Sequence, residues 1–327
     1  MKRNHFLDVL KGICILLVIL THFKWEKEQA LNLLFPFWMN PAVPIFMIIS
    51  GFVYSESFKR KQVSTFKEAY SVKGVVDKII RYTIPVAMIY VVEIFLKIFV
   101  INQKIAFREI LWNFLLGGYG PGSYYFPYMI QFVFLFPLIF FVIKKWDFLG
   151  LIFCGAVNLF YEVIKVPLGL SGENFRLLLL RYIFAIALGC FFSIGKFQIK
   201  KWMGILSFII GTSFIYFVCY VGYRPMYFYR WSKTCMLAVL YIAPIAYVLI
   251  KKCTLRFKPL EILGQASYNI FLVQMVIFHV MGQLYAGVEA SFLPMLITYI
   301  SCIVLGLLFY KIETPITKKV LGLNARM

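Results

Sequence analysis

The chain has 327 residues, of which 62% are apolar and 15% charged, and a formal net charge of +20. That balance excludes an ordinary soluble domain, and repeated apolar runs of about 20 residues mark a polytopic membrane protein. The basic excess lies in short loops between the runs, where positive-inside topology accounts for it, so no nucleic-acid partner is expected. The seven cysteines are scattered through apolar segments or their edges without a CxxC pair, so neither a disulfide framework nor a metal site follows.

In chain order, Lys2 and Arg3 ahead of an apolar run mimic a signal peptide. No small-residue cleavage site follows and a second span comes almost at once, so the segment is expected to be retained. Apolar runs predict an all-α bundle of about ten transmembrane helices, near 6–24, 37–56, 80–101, 123–143, 148–165, 176–195, 202–222, 233–250, 268–286 and 292–311. They form a single membrane-embedded domain over 1–327 with no separate soluble domain. The run FREILWNFLL, within 105–116, is too short to cross and is expected to lie in the interface or re-enter. With both termini in the cytosol, 22 Lys and Arg fall inside and nine outside, which favours an N-in, C-in orientation.

The first span, FLDVLKGICILLVILTHF, carries Asp8, Lys11 and His22. Ionisable groups inside a membrane helix are costly and are functional-site candidates by default. Lys11 and His22 stand eleven residues apart, which returns them to within about 20° of one face and separates them by about 16 Å along the axis. A cation at one end and an imidazole at the other suit a long ligand with an anionic end and a reactive end. Interfacial anchoring of Asp8 and Lys11, with His22 at a helix mouth, is the competing account.

Other polar features also admit both a structural and a functional role. In PAVPIFMIISGFVYS, Ser50 and Gly51 permit close helix or ligand approach, and small-residue packing leads. The loop 56–81 is the most basic stretch, and its Lys78 and Arg81 share a helix face where the third span enters. They can hold phosphates or face anionic lipid. Glu93 and Lys97 form an i,i+4 pair, and Glu162 and Arg181 are potential partners across helices, all read as structural. The glycine-rich GGYGPGSYYFP contains Tyr124 and Tyr125, which can stack on a sugar or belong to an aromatic belt. The same choice applies to YRPMYFYRW. In the ninth span, Gln274 and His279 are polar, and His279 is a structural rival to His22.

Taken together, LDVLKGICILLVILTH, PIFMIISGF, KIIRYTIP, GSYYFPYMIQF, LGQASYNIFLVQ and IETP resemble, in this order, the motifs of the acyltransferase-3 family of integral membrane acyltransferases. The resemblance covers nearly the whole chain. It implies transfer of an acetyl or succinyl group from cytosolic acyl-CoA, acetyl-CoA above all, to a hydroxyl of a surface or exported polysaccharide or its lipid-linked precursor. The partners would then be acyl-CoA, a glycan or lipid-linked glycan and membrane lipid, in a bacterial plasma membrane, with acyl-CoA as co-substrate and no permanently bound cofactor. Carried over by residue, His22 matches the essential histidine, Lys11 the donor-binding cation, and Lys78 and Arg81 the inner basic pair. Asp8, Ser50, Tyr124 and Tyr125 are the substrate-side candidates. Lys11 and Lys78 stand where many members carry Arg, Gln131 where many carry Glu, and Gln274 where many carry His. A transporter or flippase for a lipid-linked sugar or small metabolite is the alternative reading, and a non-catalytic sensor or scaffold is a further competitor.

Overall fold

The computed structural model describes residues 4–164, 167–169, 172–223, 235–284 and 292–322. Among the described residues, twelve of the helices carry the architecture. They are α1 (His5–Thr21), α2 (Ala42–Arg60), α3 (Val72–Phe99), α4 (Phe107–Leu115), α5 (Tyr125–Trp146), α6 (Phe148–Ile164), α7 (Ile183–Ile194), α8 (Lys201–Tyr216), α9 (Met236–Lys252), α10 (Lys258–Gln265), α11 (Ser267–Leu284) and α12 (Phe292–Val320). No strand occurs among the described residues. In a lipid environment a helix satisfies its own backbone polar groups, which is why apolar runs of this length resolve as helix. Pro85, Pro137, Pro244 and Pro315 lie inside helices, a substitution that membrane bundles tolerate.

Each of the ten predicted segments contains helix, but among the described residues five spans satisfy both length and hydropathy: Phe35–Arg60, Phe66–Phe99, Tyr125–Trp146, Lys201–Val221 and Phe292–Val320. A sixth arises if α10 and α11, bent by 67° at their junction, count as one broken span. The shortfall has a geometric cause. α1, α6 and α9 have 17 residues each and α7 has 12, at the lower edge of or below the length a bilayer core requires.

The chain divides into two compact units. The first comprises residues 1–7, 25–71 and 134–255. Within it, α7 packs along α2 and α6, and α8 packs along α9. The α2–α7 contact depends on glycine: a Cβ on Gly51 would lie 2.1 Å from the Ile186 carbonyl oxygen, and one on Gly189 would lie 1.8 Å from that of Ile48. The small-residue account of the second span therefore holds for Gly51. Buried Glu162 accepts hydrogen bonds from Asn158 Nδ2 at 2.7 Å and from the Met236 amide at 3.0 Å. Arg181 lies against the Tyr182 ring, 4.7 Å from its centroid.

The second unit comprises residues 8–24, 72–133 and 256–327. Here α11 is the central element, packed on α3 and α12, which also touch each other. α1 crosses α10 at backbone contact: a Cβ on Gly12 would meet the Leu260 oxygen at 2.2 Å, and one on Gly264 the Asp8 oxygen at 1.8 Å. α11 and α12 are joined by buried Asn269, whose Nδ2 donates to Glu313 Oε2 at 2.9 Å, while Thr317 also donates to Glu313. The late motifs LGQASYN and IETP thus meet in a polar clasp.

Candidate active site

At the start of α1, Lys11 Nζ and Asp8 Oδ1 form an ion pair at 2.8 Å. Asp8 is buried and Lys11 half-buried, so the carboxylate fixes one proton of the ammonium and leaves its other donors for a further partner. The Asp8 backbone is in turn fixed against Gly264. His22 is the first residue beyond the printed end of α1, and its amide donates to the Ile19 carbonyl at 3.2 Å. Its ring lies 5.6 Å from that of Phe278 on α11, which also packs edge-on against Phe23 at 5.0 Å.

α11 links the remaining candidates of this unit. Tyr268, near its start, donates from its hydroxyl to the Tyr82 carbonyl at 3.1 Å, and the two rings are 5.8 Å apart. Tyr82 directly follows Arg81, so the basic turn of α3 lies beside the first turn of α11. Arg81 is exposed and Lys78 half-buried. Tyr125, at the start of α5, packs on Tyr268 at 6.0 Å and on Phe271 at 4.8 Å between ring centroids. Tyr124 and Gln131 are half-buried. Tyr268 and Phe278 were not singled out as site residues from sequence; their spacing along one helix was the available signal.

Eleven residues separate His22 from Lys11, and ten separate Phe278 from Tyr268, which corresponds to about 15–16 Å of rise in each helix. α1 and α11 thus offer matching lengths between a basic end and an imidazole end. Asp8, Lys11, His22, Lys78, Arg81, Tyr124 and Tyr125 belong to this second unit, whereas half-buried Ser50 belongs to the first.

A second polar cluster lies near the far end of α3. Glu93 and Lys97, read from sequence as a direct pair, converge instead on Tyr119. The Tyr119 amide donates to Glu93 at 3.2 Å, and Lys97 Nζ sits 3.3 Å from the Tyr119 ring centroid. A directional amide for the carboxylate and a ring face for the ammonium replace the bare ion pair. Tyr119 also stacks on the Tyr90 ring at 6.1 Å and on the His279 ring at 5.9 Å. Burial pushes the Tyr119 phenol above its ordinary range. Gly117 and Gly118 hold positive φ here, and a Cβ on Gly118 would approach Glu93 Oε2 to 2.7 Å. His279 is thereby engaged by an aromatic stack rather than aligned with an acid. Of the aromatic stretch YRPMYFYRW, residues 224–231 lie outside the described residues, as do residues 232–234. No group of three or more His, Cys, Asp or Glu suited to a metal occurs among the described residues.

The fold and these residues define a multi-pass helical membrane protein with a cation in the first half of one helix and an imidazole just beyond its far end. An acyltransferase domain model, that of the acyltransferase-3 family, matches residues 4–311, and the chain belongs to that family. It is accordingly a membrane acyltransferase. No match was found among curated proteins or solved structures.

Proposed function

We propose that this protein transfers an acetyl group, or a succinyl group in its place, from cytosolic acyl-CoA to a hydroxyl of an exported or surface polysaccharide or its lipid-linked precursor. In this reading the chain is a single ten-span domain of a bacterial plasma membrane, with both termini in the cytosol. The observation that carries the proposal is the spacing of Lys11, in the first half of α1, from His22, just beyond its far end, with α11 running a matching length between Tyr268 and Phe278. Lys11, Lys78 and Arg81 bind the nucleotide phosphates, and Asp8 positions Lys11 through the 2.8 Å ion pair. The pantetheine arm then extends along α1 toward His22.

At His22 a neutral imidazole takes the proton of the acceptor hydroxyl while its oxygen attacks the thioester carbon. The new C–O bond forms, the C–S bond breaks, and the leaving thiolate takes the proton back from the imidazolium. General-base assistance of this kind contributes about 10²–10⁴-fold. Tyr124 and Tyr125, at the head of α5, are assigned to substrate, Tyr125 beside the donor arm, where it packs on Tyr268 and Phe271. A relay through an acyl-imidazole follows the same geometry and is distinguished by trapping acetyl on His22 in single-turnover mass spectrometry.

The test is acetyl-CoA turnover by purified protein, together with mass spectrometry of surface glycans with and without it. His22→Ala is expected to abolish both turnover and the glycan acyl increment; intact transfer by that variant refutes the proposal. The 67° break between α10 and α11 is a feature shared with transporters. Glycan translocation without any acetyl-CoA turnover selects that second reading.

A further inference from the structure

Gln274 lies in the middle of α11 and is 0% exposed, yet neither its Nε2 nor its Oε1 has a hydrogen-bond partner among the described residues. A buried amide left in that state costs a protein on the order of 1–3 kcal/mol, so its retention calls for a partner that arrives later. Its neighbours on the helix identify the place. Gln274 follows Phe271 by three residues and precedes Phe278 by four, so the three share a face. Phe271 packs on Tyr125, and Phe278 packs on His22. Along the axis, Gln274 stands about 9 Å beyond Tyr268 and about 6 Å short of Phe278. It therefore lies between the level of the basic turn and that of the imidazole.

We infer that Gln274 is a positioning residue for the acyl donor, its side-chain amide pairing with the two pantetheine amides. This rests on the acyl-CoA reading given above. A primary carboxamide with donor and acceptor both free is complementary to the two successive amides of a pantetheine arm: Nε2 donates to the carbonyl of the amide nearest the sulfur and Oε1 accepts from the N–H of the next, because the C=O and N–H of one trans amide point opposite ways. The nearer amide stands two methylene groups from the sulfur, one short step from the carbon that must meet His22. A phosphate would leave Nε2 as the sole useful group, and an aliphatic chain would leave both unmet. The pairing fixes how far the arm advances along α11, and so whether the thioester reaches the imidazole in register.

Three acetyl thioesters test this with the purified full-length protein. Acetyl-CoA and S-acetyl-N-acetylcysteamine both carry the nearer amide, whereas S-butyl thioacetate lacks it. Wild-type protein is expected to prefer S-acetyl-N-acetylcysteamine over S-butyl thioacetate by about 10- to 100-fold in kcat/KM. Gln274→Met, which keeps length and removes both polar atoms, is expected to erase that preference while leaving turnover of S-butyl thioacetate unchanged. The unliganded variant is expected to melt no lower than wild type, because an unpaired polar group has been replaced by an apolar one. If Gln274→Met fails to fold, Gln274→Asn must show the loss, again on the amide-bearing donors alone.

A preference that survives in the folded variant overturns the inference and leaves the acyltransferase reading standing. So does a uniform loss on all three donors, which marks a structural glutamine. Wild-type protein inert to every thioester overturns both together.

Discussion

Gly264→Ala is the sharpest single perturbation of the basic end of α1. The added methyl carbon would lie 1.8 Å from the Asp8 carbonyl oxygen, 2.6 Å from its carbon and 3.0 Å from the Gly12 amide nitrogen. Restoring ordinary contact requires α1 and α10 to separate by about 1.6 Å, and both obstructing surfaces are helix backbone, which has no rotamer to yield. The overpacking cost belongs at the upper end of the usual range of about 1–3 kcal/mol. The displaced residue is Asp8 itself, so the Asp8–Lys11 pair moves with it. A misplacement on this scale costs about 100-fold in a positioned reaction. The expected result is a lowered melting temperature in detergent and a fall of about 100-fold in kcat/KM for acetyl-CoA. Gly282→Ala, within α11 where an added Cβ meets nothing within 4 Å, serves as the control and should not lower stability. If Gly264→Ala matches wild type in both melting and turnover, the backbone crossing and its link to Lys11 are refuted.

Four further outcomes are expected. Lys11→Met should raise KM for acetyl-CoA by about 10- to 100-fold through loss of a charge-assisted contact. Asp8→Asn should have a smaller effect, and the double variant should match Lys11→Met; additive losses in this kinetic cycle refute the positioning role of Asp8. Gly51→Ala, whose Cβ would sit 2.1 Å from the Ile186 oxygen, should destabilise the α2–α7 pair by about 1–3 kcal/mol. Unchanged thermal unfolding contradicts that contact. Asn269→Ala strips buried Glu313 of a donor and should cost a further 1–3 kcal/mol, on the order expected for an unmet buried group. The same unfolding assay checks it.

The sequence made the helical class and the polar residues of α1 legible because charge in an apolar run is conspicuous. Helix ends were less so. α3 starts at Val72 rather than near residue 80, and α12 continues to Val320, because Lys73, Lys78, Lys318 and Lys319 extend a helix without being apolar. The short 105–116 segment was correctly separated from the spans: α4 has no fully buried residue and is tied to α3 by the Tyr90 hydroxyl on the Ile110 carbonyl at 2.7 Å. Partner choice was hidden. Tyr82 with Tyr268, Asn269 with Glu313, and Gly12 with Leu260 join distant stretches, and when every face is apolar no periodicity says which face meets which. The same reason concealed Tyr119, whose insertion between Glu93, Lys97 and His279 replaced a local i,i+4 pair.

That stack has a consequence for building chimeras between family members. The loop 117–123 takes its shape from glycine backbone at Gly117, Gly118 and Gly122, all at positive φ, and its anchorage from Tyr119. Its holders come from two other stretches of chain, Tyr90, Glu93 and Lys97 on α3 and His279 on α11. A graft of the loop alone would arrive without the side chains that clamp Tyr119. The transferable module is therefore discontinuous: loop, three α3 residues and one histidine, exchanged as a set.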